Sequence, residues 1–204
     1  MQTTYVDFIR HGEPEGGQVF RGHTDHRLTA LGHQQFKQRI ATTEQNWQVI
    51  LSSPLLRCFE SAEILAKTVD IPLVVEPDLA EIHFGDWENR AVDEVMAEHN
   101  ISQLWQNPMD FCAPQGEHTQ ALQQRCVAVW QSVIERYAGQ RVLVVTHGGV
   151  MRVLAHHLLE LTENSINKLS LPYAALMRFK LIETTYQGEA QQWLNLFNFD
   201  GSDL

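Results

Sequence analysis

A chain of 204 residues, 44% hydrophobic and 20% charged, carries enough apolar surface for one sizeable core, and this balance excludes a disordered or low-complexity protein. The formal net charge of -10 excludes a global basic field, so neither nucleic acid nor an anionic membrane is an expected partner and any anion must be met by a local cluster. Three cysteines, Cys58, Cys112 and Cys126, are widely spaced without a C-x-x-C pair, which argues against a disulfide framework or zinc knuckle and predicts a cytoplasmic setting.

The first predicted element is a buried strand through Val6, Phe8 and Ile9. No basic and apolar leader precedes it, and no later run approaches the roughly 18 apolar residues of a membrane span. The strand stops on Arg10-His11-Gly12-Glu13, and Gly12 allows a turn where a side chain would block the chain or a ligand. Ligands of open α/β sheets collect beyond the carboxyl ends of the strands, which makes Arg10 and His11 candidate site residues. The breaker-rich Pro14-Glu15-Gly16-Gly17 predicts a loop over that strand end, running on through Arg21-Gly22. Thr29 then caps a helix expected from Ala30 towards Ile40.

Val49 to Ser53 forms a second buried strand, with Pro54 suited to the first helical position and Ser53 to its cap. Leu55, Phe59, Ala62, Ala66 and Val69 recur at helical steps and define a sheet-facing stripe. Arg57 lies off that stripe in the first turn, where a cation opposes the helix dipole, and this points towards holding an anion. Pro72 to Pro77 predicts a short edge strand, and Leu79 to Glu88, which contains Glu81, an excursion folded over a pocket. A weakly patterned helix from Asn89 to His99 would turn Val92, Val95 and Met96 inward, with loop from Trp105 to Gln115.

Leu122, Cys126, Val129, Val133 and Tyr137 mark a long amphipathic helix stopped by Gly139. Arg141 to Thr146 is apolar on both faces, as a central strand requires, and ends on His147-Gly148-Gly149 before a helix through Leu154 and Leu158. The opening pattern therefore recurs: strand, histidine, glycine, helix N-terminus with free N–H groups. Residues 175–182 and 192–197 predict two antiparallel strands joined through Tyr186 to Glu189, extending one sheet edge. No repeat or linker divides the chain, so residues 1–204 are expected to form a single domain.

Two arginines and two histidines converging on one point would suit a dianionic tetrahedral group, because guanidinium offers paired donors to phosphoryl oxygens. A neutral imidazole in such a cage can also attack phosphorus and carry the phosphoryl group.

Arg10-His11-Gly12-Glu13, Leu28-Thr29 with Gly32, Ser52-Ser53-Pro54-Leu55 with Arg57, Glu81 with Phe84-Gly85-Asp86-Trp87-Glu88, Gly116-Glu117 and Thr146-His147-Gly148-Gly149 occur in an order that resembles the histidine phosphatases of the phosphoglycerate mutase-like superfamily. The resemblance implies a three-layer α/β sandwich with a mostly parallel central sheet, helices on both faces and the antiparallel extension near the C-terminus. It implies His11 as nucleophile, Glu81 as proton donor, and Arg10, Arg57 and His147 as phosphate-binding residues, with no metal and no cofactor; in those roles Arg10, Arg57 and a protonated His147 would spread the charge growing on the phosphoryl oxygens. Arg21, Gly22 and Gly148 are candidates for contacting the substrate beyond the phosphate. Many relatives have threonine and asparagine where this chain has Pro14 and Gly17, so one side-chain contact to phosphate is expected to be missing. The form His-Gly-Glu-x-x-Gly-Gly followed by Phe-Arg-Gly is most similar to α-ribazole-5′-phosphate phosphatases, which act late in cobalamin nucleotide-loop assembly.

The expected activity is hydrolysis of a small-molecule phosphomonoester. A phosphoglycerate mutase is the nearest alternative, although 204 residues leave little room for the segments that help mutases retain an intermediate. A module that recognises phosphate without turnover is disfavoured by the presence of both His11 and Glu81. A metal-dependent hydrolase is disfavoured because His23, His26, His156 and His157 lack an H-E-x-x-H arrangement. Oligomeric state is not predicted.

Overall fold

The computed structural model describes residues 1–186 and 189–199. In chain order it contains β1 (Gln2–Arg10), α1 (Ala30–Ala41), β2 (Val49–Ser52), α2 (Leu56–Val69), β3 (Leu73–Val75), α3 (Val92–Glu98), α4 (Ser102–Gln106), α5 (Thr119–Arg136), β4 (Arg141–Thr146), α6 (Gly148–Leu158), β5 (Leu176–Tyr186) and β6 (Glu189–Phe199). The six strands form one sheet in the order β3-β2-β4-β1-β5-β6. The first four in that order run parallel, whereas β5 is antiparallel to β1 and β6 antiparallel to β5. This is the expected α/β architecture with its antiparallel edge. Gln187 and Gly188, from the predicted turn, lie outside the described residues.

Strand periodicity explains why the central strands read as apolar throughout. Val6 and Phe8 of β1, Val49 and Leu51 of β2, and Val142 and Val144 of β4 belong to one core, packed under α5 and α6. Their neighbours Ile9, Ile50, Leu143 and Val145 belong to a second core with Phe36 and Ile40 of α1 and Ala62 and Leu65 of α2. Alternate side chains point to opposite faces, so a strand buried on both sides is apolar at most positions, and a polar residue there, such as Asp7, needs a buried partner. Gly12 and Gly32 bring the end of β1 against the start of α1. A Cβ on Gly12 would lie 2.0 Å from the Gly32 carbonyl oxygen, and one on Gly32 would lie 2.1 Å from that of Glu13. Close packing, rather than a turn, is what excludes a side chain at Gly12.

Several predicted boundaries move. The Ser53 amide donates to the Val145 carbonyl at 3.0 Å, which keeps the chain extended past β2, so α2 starts at Leu56 rather than Pro54. Asp25 supplies the capping oxygen from another loop, accepting from the Leu56 amide at 2.7 Å. In the short α3, Val95 is buried, but Met96 is 52% exposed because one further residue rotates the side chain about 100° around the axis. The stretch expected to be loop from Trp105 begins within α4 and contains a 3-10 turn at Pro108–Asp110, with proline at a position that needs no N–H. α5 begins at Thr119 and ends at Arg136, with Gly139 at φ 77 just beyond.

One polar cluster crosses the sheet. Asp7, 1% exposed, receives Arg178 Nε at 2.6 Å and Nη2 at 2.7 Å, and Trp47 Nε1 at 2.7 Å. Removing the guanidinium would strand a buried carboxylate. Arg178→Met is expected to lower unfolding stability by about 3–5 kcal/mol, read as a reduced urea midpoint with an unchanged slope.

Candidate active site

The strand order places the ends of β2, β4 and β1 side by side. The His11 amide donates to the Thr146 carbonyl at 3.0 Å, just as Ser53 donates to Val145, so Arg10-His11, Ser53 and His147 emerge at one edge. A cavity of about 200 Å³ opens there, lined by Arg10, His11, Gln18, Phe20, Arg21, Glu81, Phe84 and Tyr173 among others. Arg57 and His147, at 1% and 0% exposure, form its buried surroundings rather than its lining.

Hydrogen bonding decides the state of each imidazole. His11 Nδ1 lies 2.7 Å from the Gly12 carbonyl oxygen. A carbonyl only accepts, so Nδ1 carries the proton and Nε2 keeps its lone pair. Burial, followed by the charges of Arg57 and Arg10, holds the His11 pKa well below 6.5, outweighing the opposing bond to Gly12. The ring is therefore neutral at neutral pH, with one nitrogen available as a nucleophile.

His147 Nδ1 accepts from Arg57 Nε at 3.3 Å, so Nε2 bears the proton and donates to Ser53 Oγ at 2.7 Å. Burial, then the charges of Arg57, His11 and Arg10, push its pKa well below 6.5 as well. The ring is thereby held neutral, because a cation in this buried position would face the charges of Arg57 and Arg10. An anion entering the cage acts in the opposite direction on both rings.

The arginines divide the work. Arg57 donates Nη1–H to the Thr24 carbonyl at 2.9 Å, Nη2–H to that of Gly22 at 2.6 Å, and Nε–H to His147, so three of its five N–H groups fix the buried charge in place. Arg10 Nη1 donates to the Leu171 carbonyl at 2.5 Å, and its guanidinium lies 4.4 Å from the Tyr173 ring centroid. Its buried Nε has no hydrogen-bond partner, which leaves a charged donor for an anion. Arg21 binds the His26 ring through Nε and the carbonyls of Glu15 and Gly17 through Nη2, at 2.7 and 2.8 Å for the latter pair. It thereby holds the breaker-rich loop, in which Gly17 has φ 68, against the cavity. Gln18 lines the cavity one residue after Gly17 and brings a carboxamide to the wall where Gly17 itself has no side chain.

Glu81 shares the cavity with His11, as expected. Its Oε2 accepts from the Gly149 amide at 3.1 Å at the start of α6, and a Cβ on Gly149 would come within 2.2 Å of Oε1. The loop carrying it is fastened by Arg125, which donates to the carbonyls of Asp78, Ala80 and Glu81 and forms a paired contact with Glu117 at 2.7 and 2.9 Å. Gly22 has a packing role: a Cβ there would meet the Ile82 carbonyl oxygen at 2.0 Å and Glu88 Oε1 at 2.2 Å. Gly148 sits between two guanidinium groups, its added Cβ falling 3.2 Å from Arg152 Nη1 and 3.3 Å from Arg10 Nε. Tyr173, Arg125, Arg152 and Gln18 were not legible from sequence. Only Arg125 left a trace, as a cation two helical turns after Glu117.

Among the described residues no group of three or more His, Cys, Asp or Glu side chains is placed to hold a metal ion, and no helix is long and apolar enough to cross a membrane.

The sequence model of the histidine phosphatase superfamily (branch 1) matches residues 6–195. A protein of Escherichia fergusonii described as a probable phosphoglycerate mutase is 31% identical over 195 residues, covering 93% of this chain and 87% of that protein. Among solved structures, the alpha-ribazole phosphatase from Shigella flexneri is 25% identical with a TM-score of 0.77, covering 97% of this chain and 96% of that one. The mycobacterial glucosyl-3-phosphoglycerate phosphatase has a TM-score of 0.81 at 21% identity, covering 97% and 99%, and so shares the fold.

The two depressed histidines link stability to acid. Between the ordinary value of 6.5 and their lower folded values, the unfolded chain binds protons that the folded chain refuses, so stability rises with pH through this window and is lost as pH falls. Urea unfolding from pH 7.5 to 5 should show this decline, and His11→Asn should remove up to about 1.4 kcal/mol per pH unit of its slope.

Proposed function

The chain belongs to the histidine phosphatase superfamily, branch 1, and from that membership we propose that it hydrolyses small-molecule phosphomonoesters through a phosphohistidine on His11. The observation that carries this reading is the His11 ring itself: neutral, pinned through Nδ1–H to Gly12, and surrounded by arginines in a cavity shared with Glu81.

His11 Nε2 attacks phosphorus, forming the P–N bond as the ester P–O bond breaks. Protonated Glu81 gives its proton to the departing oxygen, so an alcohol leaves. Arg10 Nε hydrogen-bonds a phosphoryl oxygen, while Arg57 contributes a fixed positive charge from beneath the cage. His147 orients Arg57 and, where a dianion raises its proton affinity, adds a further charge. Water then attacks phosphorus and delivers a proton to the Glu81 carboxylate as the P–N bond breaks. Inorganic phosphate forms, and both residues return to their starting states.

For the leaving group, α-ribazole 5′-phosphate is the substrate we favour, supported by the His-Gly-Glu-x-x-Gly-Gly and Phe-Arg-Gly pattern and by the likeness to the Shigella flexneri enzyme. The likeness to the Escherichia fergusonii protein supports a second reading, a mutase that returns the phosphoryl group to its substrate.

Rapid alkaline quench should trap an acid-labile, base-stable phosphoenzyme in the parent protein and none in His11→Ala, whose kcat should fall on the order of 10³-fold or more. Normal turnover by His11→Ala would remove the nucleophile assignment. Glu81→Gln should lose about 10²–10⁴-fold with an alkyl leaving group. Across α-ribazole 5′-phosphate, 3-phosphoglycerate and sugar phosphates, the first should have the highest kcat/KM, whereas an isomerised phosphoglycerate would favour the mutase. Gly149→Ala, which crowds the Glu81 carboxylate, should lower kcat about tenfold or more while leaving the thermal midpoint within a few degrees, measured by steady-state kinetics and calorimetry.

A further inference from the structure

Residues 171–175, which lead into β5, are fastened to the end of β1 at several points. The Leu171 carbonyl accepts from Arg10 Nη1, the Ala174 amide donates to the His11 carbonyl at 3.2 Å, and the Ala175 carbonyl accepts from the Arg10 amide at 2.9 Å. Arg39 Nε, from α1, donates to the Ala174 carbonyl at 2.8 Å. Ala174 itself sits at φ 58, a left-handed conformation that a residue with a side chain keeps only where its surroundings over-determine it.

What these bonds hold in place is Tyr173. Its ring centroid lies 4.4 Å from the Arg10 guanidinium carbon and 5.9 Å from the centroid of the His11 ring, and it lines the phosphate cavity together with both residues. Burial lowers the pKa of Arg10 and of Arg21, and in each case the Tyr173 phenol is the foremost group acting against it, so its oxygen lies near both guanidinium groups. Among the described residues the Tyr173 hydroxyl has no hydrogen-bond partner. The breaker-rich loop offers no comparable donor: Pro14 has neither an N–H nor a polar side chain, and even a Cβ added to Gly17 would meet nothing within 4 Å.

We propose that Tyr173 is a phosphoryl-group ligand, its hydroxyl supplying the side-chain donor that Pro14 and Gly17 do not, while its ring braces Arg10. The assignment rests on the phosphatase reading and adds to it a residue that no ordered motif marks. A phenol hydroxyl is an uncharged donor, so it binds an oxygen without adding to the repulsion among the arginines. Gln18 also lines the cavity, but from an exposed position, whereas Tyr173 is half-buried and held by ring contacts and by the backbone on either side.

Inorganic phosphate is the probe, because it fills the phosphoryl site and carries no alcohol. Measured as a competitive inhibition constant against phenyl phosphate, its affinity should fall about tenfold or more in Tyr173→Phe, which keeps the ring, with the thermal midpoint within a few degrees of the parent. Tyr173→Leu, which also removes the brace on Arg10, should weaken it by about a further threefold or more. If that variant does not fold, the phenylalanine comparison stands without it. In Tyr173→Phe, kcat/KM for phenyl phosphate and for ethyl phosphate should fall by factors that agree within about threefold, because the hydroxyl touches the group the two esters share. Unchanged phosphate affinity in Tyr173→Phe would overturn the assignment while leaving the phosphatase reading intact. A loss confined to one ester would also overturn it, since the tyrosine would then serve the alcohol. A parent protein that neither binds phosphate nor yields a phosphoenzyme would overturn the phosphatase reading and the ligand role with it.

Discussion

Holding cations together beside a neutral imidazole is the constraint on which the site depends. Two like charges roughly 6–8 Å apart at an effective dielectric near 20 repel by about 2–3 kcal/mol. Arg57 is held in spite of this because backbone carbonyls of Gly22 and Thr24 and the ring of His147 accept its protons, and Arg10 because Leu171 and the Tyr173 ring face it. These acceptors are neutral, so the charge is anchored without being cancelled. A protein with a formal net charge of -10 thereby keeps a local positive field in which an anion is stabilised and an imidazolium is not.

The same constraint accounts for the rigidity around it. Carbonyl acceptors are useful only when their loops stay still, and several loops are tied from outside the cavity. Glu88 accepts from the amides of His23, Thr24 and Phe84 at 2.8–2.9 Å, joining the loop that receives Arg57 to the one that follows Glu81. Burial alone would raise the Glu88 pKa, but these bonds and that from the Thr24 hydroxyl outweigh it and leave the value lowered. Arg125 and Glu117 perform the corresponding task beneath Glu81. The Asp7–Arg178 pair fastens the antiparallel edge to β1, away from the chemistry, and lets β5 complete the burial of the strand that ends in Arg10.

Legibility followed the range of the forces involved. Strand and helix identities were readable because periodicity is local: Val142 to Val145 alternate between two cores, and Leu122, Cys126, Val129 and Val133 keep to one face of α5. Errors arose where a distant group overruled a local preference. Ser53 did not cap α2 because sheet pairing with Val145 kept it extended. That Gly22 must be glycine was not readable either, because the groups that leave no room for a side chain there, Ile82 and Glu88, are 60 or more positions away. Arg57, read as an anion ligand from its poor fit to the helix dipole, lies beside the site, where the acceptors that hold it come from residues 33, 35 and 90 positions away.

By itself the sequence determined the α/β layering, the strand ends that carry Arg10, His11 and His147, and the family, because apolar spacing and ordered motifs reside in the linear chain. Only the tertiary structure decided the protonation of the two imidazoles, the partnerless Nε of Arg10, the support of Glu81 by Arg125, and the position of Tyr173 against Arg10. The physical reason is separation along the chain. Arg57 meets His147 across 90 positions, and Gly149 meets Glu81 across 68, so burial and acceptor geometry at these contacts exist only once the sheet has aligned its strand ends.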